Sequence, residues 1–145
     1  MVVDTLLHAC AHVDSKDEEG STPLHIAANY GRDKVVKLLL QAGAIKERTP
    51  LHYAAKSGHD KVVKLLLQTG AMVDSKDKYA RTPLHNAAYN EHEKVIELLL
   101  QAGAFVDLET IEKNNPFPHA VSNGHEKAVA LLRLVHSLIK QKMCL

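Results

Sequence analysis

Cysteine is scarce: the 145 residues contain two, Cys10 and Cys144, near opposite ends of the chain. Free thiols fit a reducing compartment. Neither charge is in excess, since 18 basic residues stand against 17 acidic ones for a net charge of +1. That removes a bulk electrostatic case for nucleic acid or an anionic membrane surface. No apolar run approaches the roughly 18 residues needed to span a bilayer. The start, Met1-Val2-Val3-Asp4, lacks the basic residues and long apolar stretch of a signal peptide. The expected location is therefore the cytoplasm or another reducing intracellular compartment, without membrane insertion.

Chemical signatures are equally sparse. The sequence has no His-Glu-x-x-His, no paired-cysteine motif and no glycine-rich phosphate loop. None of Ser15, Ser21, Ser57, Ser75, Ser122 and Ser137 sits in a nucleophile elbow. Nothing places a histidine and an orienting carboxylate beside either cysteine. No catalytic residue, metal site or cofactor is expected.

What the chain does have is repetition. Thr-Pro-Leu-His occurs at Thr22, Thr49 and Thr82, with a worn copy at Asn115-Pro116-Phe117-Pro118, at intervals of 27, 33 and 33 residues. A period near 33 means stacked supersecondary units in place of one globular core. An apolar content of 46% is enough to fill the interfaces between units. The two cysteines then lie far apart along the stack, and an internal disulfide is not expected.

In the copy from Thr82 to Ala104, Thr82 caps a helix and Pro83 takes the first helical position, where no N–H is needed. Leu84, Ala87 and Ala88 supply the buried side of that short helix, and alanine pairs recur at Ala27-Ala28 and Ala54-Ala55. Small residues let neighbouring helices approach. Gly31 and Gly58 serve the next turn, where glycine adopts a left-handed conformation at little cost. A second helix follows in Asp33–Leu40, Asp60–Leu67 and Glu93–Leu100. Its acidic first turn suits the helix dipole. Asp33/Lys37 and Asp60/Lys64 have the i,i+4 spacing of a pair worth a few tenths of a kcal/mol. Its apolar positions cover more than one stripe, as a helix between two neighbours requires; Leu98 is expected in the core. Gly43, Gly70 and Gly103 end these helices, and polar, turn-prone stretches such as Met72–Arg81 are long enough for projecting fingers.

This unit resembles the ankyrin repeat. The resemblance rests on the three Thr-Pro-Leu-His strings, the alanine pairs, the Val-Val/Ile…Leu-Leu-Leu runs, the Gly-Ala pairs, and Val13-Asp14 and Val73-Asp74. It implies an all-α fold: a solenoid of stacked helix–turn–helix units with short β-hairpin fingers. It also implies a non-catalytic scaffold that recognises another protein through finger tips and the concave face of the first helices. By the same resemblance Thr22, Pro23, His25, Thr49, Pro50, His52, Thr82, Pro83 and His85 are structural, the imidazoles bonding backbone and tying adjacent units together. His59, His92 and His125 recur at the inter-helix turn. Copies one repeat apart, about 10 Å for packed helices, do not converge on a metal ion, which needs ligands at about 2 Å.

The expected organisation is one domain, 1–145: a half-repeat 1–17, full repeats 18–44, 45–77 and 78–110, and a degenerate repeat 111–145 with an extended terminal helix. The half-repeat is either a natural cap or the broken edge of a longer array. Between Ala44 and Thr49 only Ile45-Lys46-Glu47-Arg48 remain, six fewer than in the next copy, so that finger is truncated or incomplete. Glu91 replaces a turn glycine, at about 1–2 kcal/mol if the position is left-handed. Ala128, Leu131, Leu132, Val135, Leu138 and Ile139 form a helical stripe in Glu126–Lys142. This helix is either a cap on the last repeat or a docking surface for another chain or domain.

The positions that vary between copies are the candidate contacts: Glu18, Glu19 and Ser21; Lys46 and Arg48; Lys78, Tyr79 and Arg81; and Asn29, Tyr30, Lys56, Ser57, Tyr89 and Asn90 at the ends of the first helices. Ile111, Glu112 and Asn114, with Ser122 and Asn123, occupy the same places in the last copy. Tyrosine and arginine are favoured interface anchors, which puts Tyr30, Tyr79, Arg81 and Tyr89 at the centre. Charge along this face changes sign, from Asp17-Glu18-Glu19 to Lys76, Lys78 and Arg81. Lys34, Lys61, Lys94 and Lys127 each follow an acidic residue and read as a solvated outer face, not a nucleic-acid surface. The expected partner is one protein, identity open, bound by a monomer. The competing expectation is a structural spacer or intramolecular regulatory segment of a larger protein.

Overall fold

Thr22-Pro23 and Thr82-Pro83 each open a helix where the local chemistry places it, and Pro50 begins another. The computed structural model describes residues 12–44 and 50–105, together with Ala130, Arg133, Leu134, Ser137, Leu138, Gln141 and Lys142. Within residues 12–44 and 50–105, six helices form three pairs: α1 (Pro23–Asn29) with α2 (Asp33–Gln41), α3 (Pro50–Ser57) with α4 (Asp60–Gln68), and α5 (Pro83–Tyr89) with α6 (Glu93–Gln101). The first helices α1, α3 and α5 pack in sequence, and α2, α4 and α6 pack in a second layer behind them. Most of the half-repeat, the short link with Lys46, Arg48 and Thr49, and most of the last copy lie outside the described residues.

The core runs along the seam between the layers. Ala28, Ala54, Ala55 and Ala87 are fully buried, so the alanine pairs set the close spacing of the first helices. Behind them Val36, Val63, Leu66, Ile96 and Leu99 fill the second layer. Leu98, expected in the core from its place in the leucine run, packs against it but stays partly exposed, while Leu99 is sealed. The helix is rotated so that the middle leucine of the run points between the layers.

The histidine of the motif acts at the helix start. In α5 the Nδ1 of His85 accepts the Thr82 N–H at 3.1 Å, and the Thr82 hydroxyl accepts the His85 N–H at a long 3.4 Å. In α1 the Thr22 N–H reaches His25 Nδ1 at 3.0 Å. Histidine thus takes the place that glutamate holds in an ordinary capping box. With Nδ1 accepting, the ring proton belongs on Nε2. In α3 that atom donates across the stack, from His52 to the Arg81 carbonyl at 2.8 Å. The motif histidine orders the helix start in α1 and α5 and holds the next finger from α3.

The fingers are hairpins reduced to their turns. Asp17 N–H donates to the Ser21 carbonyl at 3.0 Å, and Asp77 N–H to the Arg81 carbonyl at 2.9 Å. Gly20 in the first finger has φ +80, and its counterpart Ala80 takes φ +60. Glu91 also sits in the left-handed region, at φ +58, where a side chain costs about 1–2 kcal/mol.

Candidate functional site

The variable positions become neighbours because the 77–81 finger leans over the start of α3 and α5. Between them is a groove of about 360 Å³ lined by His52, Tyr53, Lys56, Asp77, Lys78, Tyr79, Arg81 and Asn86. Its outer wall is built by one carboxylate. Asp77 Oδ1 accepts the N–H groups of Tyr79 at 2.8 Å and Arg81 at 3.0 Å. Its Oδ2 accepts Arg81 Nε–H at 3.0 Å, with Nη2 at 2.9 Å. The guanidinium, held by two contacts, lies 4.7 Å from the centre of the Tyr79 ring, and Lys78 Nζ lies 5.0 Å from it. Cations over an aromatic face are attracted by its negative quadrupole. Tyr79 is therefore fixed in direction while 62% exposed.

Partial burial on its own raises the pKa of Asp77. The backbone N–H of Arg81, its guanidinium and the Tyr79 N–H outweigh burial and hold the carboxyl below the usual aspartate value. A folded pKa below the unfolded one, about 3.9, stabilises the finger fully above that pH; the effect is lost as pH falls through the folded value. The amide protons of Tyr79 and Arg81, followed by NMR, are expected to hold their shifts from pH 7 to 5 and to move below about pH 4. Asp77→Asn should show the altered shifts already at pH 7. Amide shifts that titrate above the unfolded value would contradict this account.

The 17–21 finger repeats the design without the cation. Asp17 Oδ1 accepts the N–H groups of Glu19 at 3.0 Å and Ser21 at 2.8 Å, and Ser21 stands where the other finger has Arg81. Glu18 and Glu19 project there, so this end of the face is acidic.

Among the expected contacts, the groove brings together Lys56, Lys78, Tyr79 and Arg81. Asn29 and Ser57 are joined to each other, Ser57 Oγ donating to Asn29 Oδ1 at 3.0 Å. Asn90 Nδ2 donates to the Asn86 carbonyl at 2.9 Å. Tyr30 does not line the groove; it borders a separate apolar hollow with Pro23, Ile26, Ala27, Arg32 and Val35. Tyr89 is half exposed and lies outside the groove lining. Lys46 and Arg48 fall outside the described residues. Tyr53 was missed. It follows the motif histidine at a place held by Ile26 and Asn86 in the other copies, and that variability was its signal. Its ring meets His25 edge-on, 6.0 Å between centres at 83°.

The turn histidines have a defined seat. His59 Nε2 donates to the Asn29 carbonyl at 2.9 Å, and His92 Nε2 to the Lys56 carbonyl at 2.9 Å. Each ring lies against the turn glycine of the preceding pair, Gly31 or Gly58. Among the described residues no group of three or more His, Cys, Asp or Glu is placed to hold a metal ion.

On the outer face, the Asp33–Lys37 and Asp60–Lys64 pairs expected from spacing do not close. Lys37, Asp60 and Lys64 are exposed, and a pair between long side chains in water returns little against the rotamer freedom it costs. No helix among the described residues is long and apolar enough to cross a membrane.

One family model, described as ankyrin repeats (3 copies), matches residues 1–77 and again 70–141. No curated protein matches the chain.

Proposed function

We propose that this chain, which belongs to the ankyrin-repeat family, is a non-catalytic scaffold that binds a partner protein through its finger tips and concave face. Ankyrin repeats are generally protein–protein interaction modules. We assign the repeats to 18–44, 45–77 and 78–110, flanked by the half-repeat 1–17 and the degenerate 111–145. The observation that carries the reading is the groove. Tyr53 and Tyr79, 37% and 62% exposed, stand beside it on a frame whose apolar seam is already filled. Rigid tyrosines lose little entropy on binding and suit the centre of an interface.

The test is quantitative capture from a cell lysate by the wild type, by Tyr53→Ala/Tyr79→Ala and by Tyr30→Ala/Tyr89→Ala. The groove pair is expected to lose at least about tenfold in capture, as removal of an interface anchor does. Its circular dichroism melt should stay within a few degrees of wild type. Equal capture by wild type and the groove pair would sink the assignment. A regulatory segment of a larger protein is the second reading. It draws on Leu134 and Leu138, spaced i,i+4 and 58% and 51% exposed, in the Glu126–Lys142 region.

A further inference from the structure

The charges around the groove are unequal in availability. Arg81 is committed to Asp77, which compensates it through Nε and Nη2. Lys56 and Lys78 line the same groove, are exposed, and make no ion pair there. Lys78 is nevertheless positioned, its Nζ resting 5.0 Å from the Tyr79 ring centre. The backbone of Lys56 is held by the His92 bond to its carbonyl. Two ammonium groups without an ion pair thus flank two exposed tyrosine side chains. The opposite end of the concave face presents Glu18 and Glu19 on a finger with no arginine.

Resting on the reading of this face as a protein-binding surface, we propose that the groove takes an acidic peptide segment. Carboxylates of that segment meet Lys56 and Lys78, and an adjacent apolar or aromatic side chain lies over Tyr53 and Tyr79. Arg81 is a wall of the site that holds Tyr79 in place; it is not the group that meets the partner's carboxylate. The expectation that Arg81 is a central contact is revised accordingly. Charge complementarity selects both the class of segment and its direction. A polypeptide can carry acidic residues at one end and basic ones at the other, matching Lys56/Lys78 and then Glu18/Glu19. A nucleic-acid strand is negative along its whole length and would be repelled by the first finger.

The probe is a fluorescent glutamate–tyrosine copolymer, titrated by anisotropy against the whole chain, beside a lysine–tyrosine copolymer and oligo-dT. The acidic copolymer should bind, with affinity falling as salt rises. Lys56→Glu/Lys78→Glu should lose at least about tenfold toward it, and Glu18→Lys/Glu19→Lys should lose none. Lys56→Gln/Lys78→Gln serves as the second variant should charge reversal disturb the melt. The proposal is overturned if the acidic copolymer does not bind, if its binding ignores both lysine variants, or if oligo-dT binds more tightly through the same lysines. Loss of lysate capture in the tyrosine variant with none in the lysine variants would leave the groove as the site and remove the acidic partner. Unchanged capture in both would remove both readings.

Discussion

Leu66→Ala is expected to lower the unfolding free energy by about 2–5 kcal/mol, toward the upper half of that range. Leu66 is fully buried in α4, the middle helix of the second layer, which packs against α2, α6 and α3. Truncating it removes several methyl contacts and leaves a void between helices that cannot all close on it. In a stack, each pair contacts only its neighbours, and stability is close to a sum of unit and interface terms. Damage at the middle pair weakens both interfaces at once, whereas damage at an end weakens one. Against a typical total of about 5–15 kcal/mol, the loss should lower the melting temperature by roughly 10 °C or more. Thermal circular dichroism reads it directly. Leu98→Ala is the comparison, since that side chain is only partly buried. A Leu66→Ala melt no lower than that of Leu98→Ala would mean the seam does not carry the stack.

The second large effect concerns a single methyl group. Gly58 has φ +76, and a Cβ there would lie 2.5 Å from His92 Nδ1 and 2.6 Å from Cε1. Alanine carries about 1–2 kcal/mol for the left-handed backbone. It must also displace the ring, at the expense of the bond from His92 Nε2 to the Lys56 carbonyl, typically about 0.5–1.5 kcal/mol. A total of about 1.5–3.5 kcal/mol is expected. Gly43→Ala separates the two contributions: it has φ +87 with nothing within 4 Å of the added Cβ, so only the backbone cost applies. A double-mutant cycle with His92→Ala should show the two changes to be strongly non-additive, the alanine at 58 costing less once the ring is gone. Equal losses in Gly58→Ala and Gly43→Ala would show that the histidine seat contributes nothing.

Legibility followed the range of the interaction. Helix starts at Pro23, Pro50 and Pro83, and left-handed glycines at Gly31, Gly58, Gly43 and Gly103, satisfy requirements met within a few residues. The left-handed backbone at Glu91 was readable for the same reason, by comparison with the glycine in the copy before it. Spacing alone was a poor guide to charge pairing. Asp77/Arg81, Asp33/Lys37 and Asp60/Lys64 share the i,i+4 interval, yet only the finger pair closes. There the turn brings Asp77 onto two backbone N–H groups and leaves its side chain 11% exposed. The carboxylate is already fixed, and the arginine gives up less freedom to reach it. On the helices Lys37, Asp60 and Lys64 are exposed to water.

The repeat, the helix pairs and the buried alanines were determined by the sequence alone, because hydrophobic period, proline and glycine act locally and were written several times over. The tertiary structure decided which variable side chains share a groove. It set Tyr53 beside Tyr79, moved Tyr30 to another hollow, and placed His52 and His92 on carbonyls 29 and 36 residues away. Those neighbours depend on the rotation and spacing of one helix pair against the next. That geometry arises from side-chain packing across the interface, and no single repeat contains both sides of it.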